Sequence, residues 1–325
     1  MREAASARKV TEKNVYLQVG NNQVALNFEL LLINLTGMKR TIVLSVVPLL
    51  LSLLAVGCSR DKVLTEGLRY CESVLAYDGG LLIANFGSDE LNPLNSEGKG
   101  YILYYDGSGM RTFIPADGTL SAPKGMNVTD GWLTVADVNK LVAFSLCDRS
   151  AEPVVIPMPE GEVFVNHIVT VDDMLLVSVT NTGNIYALDI DSVTGPDAAS
   201  LELYTNVPGA NGMLFDRGTL YVASYSPEGV PTGQNVIYRI ADMANPVAEP
   251  VSSRTGQYDG LAMYGGKLYF TDWTDGFVGC MDVATGDVVR VETAAPLAGP
   301  AEIDVWNGRL CVPDLAGSAV HLIGL

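Results

Sequence analysis

Along most of the chain, short apolar runs alternate with single Gly, Asp or Asn residues, and no long stretch keeps the spacing of an amphipathic helix. This patterning predicts many short strands. The segment NGMLFDRGTLYV, starting at Asn211, recurs through the chain. Its counterparts are ESVLAYDGGLLI from Glu72, KGMNVTDGWLTV from Lys124, NHIVTVDDMLLV from Asn166, DGLAMYGGKLYF from Asp259 and AEIDVWNGRLCV from Ala301. Nine residues after each starting position stands a leucine: Leu81, Leu133, Leu175, Leu220, Leu268 and Leu310. The starting positions lie 52, 42, 45, 48 and 42 residues apart, so the repeat is about 45 residues long.

Each copy continues alike. Two apolar strands flank an Asp- or Gly-rich turn. A third strand follows, such as YILYY or NIYALDI, and in most copies a weaker fourth, such as MRTFI or DVVRV. Four antiparallel strands at this period make a propeller blade. The expected fold is all-β: a six-bladed β-propeller with four antiparallel strands per blade. The chain ends at the third strand of the sixth copy, so residues 61–69, DKVLTEGLR, are expected to supply the missing strand and close the ring.

The N-terminal part breaks the pattern. Met38-Lys39-Arg40, the apolar run 41–57 and Cys58 have the anatomy of a secretory signal. Ala55-Val56-Gly57-Cys58 resembles a bacterial lipobox, in which the cysteine is lipidated. The expected organisation is therefore a mis-assigned or disordered extension over 1–37, a lipoprotein signal over 38–57, and one propeller domain over 58–325. The implied location is the bacterial cell envelope, periplasmic or cell-surface, with the membrane touched only through the lipid on Cys58. The net charge is −17. Six of the 20 basic and three of the 37 acidic residues precede Cys58, leaving 14 against 34, a net of −20. Such a surface excludes nucleic acid as a partner. Cys71, Cys147, Cys280 and Cys311 match no metal or disulfide spacing and read as buried small hydrophobes.

Equivalent positions of a repeat usually look alike because they serve packing. Glu72, Lys124, Asn166, Asn211, Asp259 and Ala301 do not. By the repeat they start the innermost strands and ring one end of the central channel. Two carboxylates and two amides from separate blades form a hard-oxygen set, suited to Ca²⁺, Mg²⁺ or Mn²⁺, with Zn²⁺ also admissible. Thirteen residues after each stand Asn85, Asp137, Val179, Ser224, Asp272 and Asp314, which orient ligands, touch substrate, or serve turns. Two long connections, 85–100 and 224–235, lie on the same face and are placed to rim a pocket.

In these features the chain resembles the SMP-30/gluconolactonase family of six-bladed propellers, across nearly all of residues 65–325. That family holds one divalent ion through a Glu of blade one, Asn residues of blades three and four, and an Asp of blade five. The resemblance therefore implies metal ligation by Glu72, Asn166, Asn211 and Asp259, with Ca²⁺ foremost, and makes Asp259 also a proton acceptor. The chain departs from the family where an Arg usually precedes the blade-three Asn and an Asp follows it. Here those places hold Phe164 and His167. Lys124 is then the candidate for the missing positive charge, with Asn85, Asp137 and Asp272 as further substrate contacts. His167 is a candidate base, although strand alternation turns it into the blade unless the backbone bends. His321 reads as structural. The function implied is metal-dependent hydrolysis of a lactone or similar ester, with a sugar lactone as substrate and a monomeric protein. The alternative is a non-catalytic propeller that binds a protein or glycan, with a structural ion or none. A redox propeller has no support, since there is no CxxCH and no run of Trp.

Overall fold

A computed structural model describes residues 15–19, 22–26, 61–190 and 201–325. The chain divides into two compact units, Met1–Cys58 and Ser59–Leu325. In the first, Val15–Val19 pairs antiparallel with Asn22–Leu26. The alternation in VYLQV and NQVAL suits that ladder. The apolar run 38–57 and Cys58 lie outside the described residues.

The second unit is all-β: six sheets of four antiparallel strands, with no α-helix among the described residues. Blade one, for example, runs Cys71–Tyr77, Gly80–Asn85, Tyr101–Tyr105 and Met110–Ile114 from the axis outward. Five blades follow sequence order. The sixth is Asp304–Trp306, Arg309–Asp314 and Ala319–Gly324, completed by Lys62–Leu64. Leu64, Val63 and Lys62 pair with Val320, His321 and Leu322. The ring thus closes where the sequence predicts, and no blade keeps an unpaired edge of the closure kind.

Turn chemistry fixes the first hairpin of the blades. Asp78-Gly79 and Asn307-Gly308 hold positive φ at both central residues (46° and 77°; 51° and 69°), a geometry matched to the twist of the flanking strands. The six repeated leucines are all buried, none above 1 % exposed. They belong to apolar clusters between neighbouring blades. One cluster joins blade six to blade one through Leu64, Val74, Leu81, Cys311 and Val320. Cys71 and Cys311 are buried as expected, whereas Cys280 is half-buried and Cys147 is exposed in the turn after a third strand. His321 is buried in the outer part of blade six, and burial pushes its imidazole pKa down.

Candidate functional site

The innermost strands share one irregularity. In blades one to five the first residue pairs with the last residue of the second strand, as Cys71 with Asn85 and Val165 with Val179, and the register then shifts. In blade six the matching pair is Pro300 with Asp314. The bulge frees Glu72 from the ladder in blade one and the next two residues of the inner strand in blades two to five, and re-aims them. Neighbouring blades approach closely here. A Cβ on Gly125 would sit 2.7 Å from Asn166 O, and one on Gly260 would sit 2.7 Å from Ala301 O, so only glycine fits. Ser73 and Ser178 hydroxyls donate to the Lys124 and Asn211 carbonyls, each at 2.6 Å, and tie successive blades around the axis.

Glu72, Asn166, Asn211 and Asp259 line one cavity of about 250 Å³ at this end of the ring, together with Lys124. They are 3, 2, 1 and 6 % exposed. Each presents a buried oxygen with no hydrogen-bond partner: Glu72 Oε2, Asn166 Oδ1, Asn211 Oδ1 and Asp259 Oδ1. Buried polar atoms are otherwise almost always paired, so four orphans in one cavity need a cause. Burial raises the Glu72 pKa well above the ordinary carboxylate value, and the Asp259 charge raises it further. Burial and the Glu302 charge do the same to Asp259. The set fits a divalent cation, whose charge would satisfy all four oxygens and cancel this repulsion. Among the described residues no three or more His, Cys, Asp or Glu are grouped to hold a metal, so such an ion would depend on the two amide oxygens.

Lys124 is 1 % exposed. Its Nζ donates to Pro93 O at 2.9 Å and to Ala122 O at 3.0 Å. It also lies 5.5 Å from the Phe86 ring centre and 5.3 Å from that of Phe164. Burial lowers its pKa to about 8, against the opposing pull of Glu72, Asp137 and Asp259. The ammonium therefore pins the long blade-one connection over the cavity.

His167 does not face this cavity. The bulge defeats strict alternation and turns it toward the axis, into a second cavity shared with Glu302 and Asp304. His167 Nδ1 and Glu302 Oε2 are 2.9 Å apart across the ring, an ion pair whenever the imidazole is protonated. Glu302, next to the apolar Ala301, escaped the sequence reading because the repeat directs attention to Ala301.

Asn85, Asp137 and Asp272 do not line the cavity. Their side chains point back to the preceding connection. Asp137 Oδ1 accepts from Ala122 N at 2.7 Å and from Ser121 N at 3.1 Å. Asn85 Oδ1 accepts from Arg69 N, and Asp272 Oδ1 from Gln257 N. Asp314 repeats the pattern on Ala298 and Gly299. This is turn chemistry at a strand end. The residue one position later turns the other way. Phe86, Tyr225, Trp273 and Leu315, each fourteen after a starting position, line the cavity. The repeat carried this signal one residue beyond the polar set.

No protein-family model matches the sequence, and no curated protein matches it either. The fold is similar to that of streptogramin B lyase, with a TM-score of 0.54 at 15 % identity over 78 % of this chain and 80 % of that one. It is also similar to a catalytically inactive variant of virginiamycin B lyase from Staphylococcus aureus with quinupristin, with a TM-score of 0.53 at 13 % identity over 82 % and 100 %. A chain of a nidogen/laminin complex gives 0.52 at 13 % identity over 76 % and 90 %. These neighbours are six-bladed propellers. At such identities the likeness shows the fold and leaves function to the site.

Proposed function

We propose that the protein is a divalent-cation-dependent hydrolase of a lactone or similar ester, acting at the cavity of Glu72, Asn166, Asn211 and Asp259. The observation that supports this is the set of four buried, unpartnered oxygens from four blades in one cavity. Glu72, Asn166, Asn211 and Asp259 would hold the ion. When bound, the ion would polarise the substrate carbonyl and favour charge on its oxygen.

The chain's own groups do the rest. In the hydrolysis, water adds to the carbonyl carbon and the ester C–O bond breaks, giving a hydroxy acid. Asp259 takes the water's proton on its carboxylate and returns it to the leaving oxygen as the C–O bond breaks. Lys124 contributes positive charge within reach of Glu72 and Asp259. Phe86 and Phe164 beside it exclude water. His167 and Glu302 support the floor of the ring from the second cavity rather than acting as the base.

The test is acid release from a lactone panel by chelator-treated protein, with Ca²⁺, Mg²⁺, Mn²⁺ or Zn²⁺ restored in turn. The expected result is turnover that returns with one ion and is lost in Asp259→Ala. Silence with every ion, on folded protein, would replace the hydrolase with a non-catalytic binding propeller. A folded Asp259→Ala protein with full activity would remove that residue's role.

A further inference from the structure

The cavity is built in two chemically distinct tiers. Its floor is polar: the four orphan oxygens and Lys124. Its wall is apolar, made by Phe86, Leu91, Phe164, Tyr225, Trp273 and Leu315. Phe86 and Leu315 belong to one buried apolar cluster, with Trp273 packed against it. Phe86, Leu315 and Trp273 are therefore a fixed part of the fold, whereas Leu91, on the long blade-one connection, is 37 % exposed. Lys124, the one cation of the lining, spends two of its three donors on Pro93 O and Ala122 O. It is poorly free to receive a substrate carboxylate.

We infer that this cavity selects a neutral ester or lactone carrying an apolar alkyl or aryl arm, and discriminates against the polyhydroxylated sugar lactones that the sequence resemblance implies. The inference rests on the hydrolase reading of the same site. A polyol arm would bring several hydroxyls against a wall that offers the Tyr225 hydroxyl and the Trp273 indole N–H as its side-chain hydrogen-bonding groups. Burial pushes the Tyr225 pKa up to about 12, so that hydroxyl stays a donor. Each further hydroxyl stripped of water without a partner costs roughly ten- to a hundredfold in binding. Each methylene buried on the wall gains about fourfold. Phe164 stands on this wall and adds a further apolar ring to it.

The experiment compares glucono-δ-lactone with unsubstituted δ-valerolactone and a series bearing lengthening δ-alkyl arms, using the purified protein and the ion that restores turnover. Expected is a kcat/KM that climbs about fourfold per methylene until the wall is covered. The polyol lactone should fall at least about tenfold below the alkyl ones. Trp273→Ala should flatten the dependence on arm length. A polyol lactone turned over as well as, or better than, the alkyl series overturns the inference while keeping the hydrolase. If no lactone is turned over, the hydrolase reading fails, and binding decides the selectivity. Calorimetry is then run with the matching alkyl-substituted and polyhydroxylated δ-lactams. Tighter binding of the alkyl lactam sustains the apolar selectivity. Equal binding, tighter binding of the polyol, or no binding of either overturns it.

Discussion

Leu133 and Asp259 are both buried in inner or second strands of the same ring, and their surroundings could hardly differ more. Leu133 packs between blades one and two with Leu82, Ile102 and Val142, and five other blades place a leucine at the same point. Asp259 has counterparts Glu72, Lys124, Asn166, Asn211 and Ala301, and its buried Oδ1 lacks any partner. Where the leucine repeat is kept, the side chains are satisfied by packing. Where the repeat is broken, the fold carries uncompensated polar groups. A ring of repeats thus separates packing positions from the positions where equivalent residues stop being equivalent, and the proposed site uses the second kind.

That contrast can be broken in three ways. The largest effect falls on the kept repeat. Leu133→Ala should cost about 2–5 kcal/mol of stability through lost transfer energy and a cavity, with ion binding unchanged in the folded fraction. Denaturant unfolding and ion titration on the same protein check both halves. A loss of ion affinity in folded Leu133→Ala would show that the two regions are not separable.

The opposite behaviour is expected of Asp259→Asn. Ion-dependent turnover should fall at least about 100-fold. The ion-free protein should become more stable, because an uncompensated buried charge is gone. The pH dependence follows with a definite sign. Glu72 and Asp259 have folded pKa values raised above their unfolded ones. The folded chain therefore binds more protons through the window between those values, and stability is lost as pH rises through it. Ion-free protein should be more stable at the acid end of that window than at neutral pH. Asp259→Asn should reduce the slope, and so should saturating ion. An Asp259→Asn protein that is less stable when ion-free would contradict the account.

The smallest effect sharpens the boundary of the site. Asp137 sits thirteen residues after a starting position but serves the Ser121 and Ala122 amides. Asp137→Ala should cost on the order of 1–3 kcal/mol in thermal unfolding and leave ion affinity alone. Weakened ion binding would place Asp137 back among the site residues.

Much of the fold was legible because its determinants are local and repeated. YILYY and MRTFI are strands at the residues expected, and residues 62–64 close the ring. The ring position of Glu72, Asn166, Asn211 and Asp259 was legible for the same reason, since a repeat fixes which residues are equivalent. Three features were not. The direction of His167 depends on a bulge, which reverses a side chain without leaving a mark in the polar pattern. The polar residues Asn85, Asp137 and Asp272 suit both a turn and a site, and only the positions of backbone amides decide between them. The apolar wall of Phe86, Tyr225, Trp273 and Leu315 looked like ordinary strand residues, because apolar side chains announce burial and not which cavity they border.

The central claim is that four orphan oxygens form one cation site. The most direct test is a calorimetric titration of chelator-treated protein with Ca²⁺, Mg²⁺, Mn²⁺ and Zn²⁺, repeated on Glu72→Gln and Asn211→Ala. The account predicts saturable binding of a single ion per chain, weakened in both variants, with heat unfolding shifted upward by the bound ion. Absence of binding for every cation, or binding that both variants leave untouched, would contradict it.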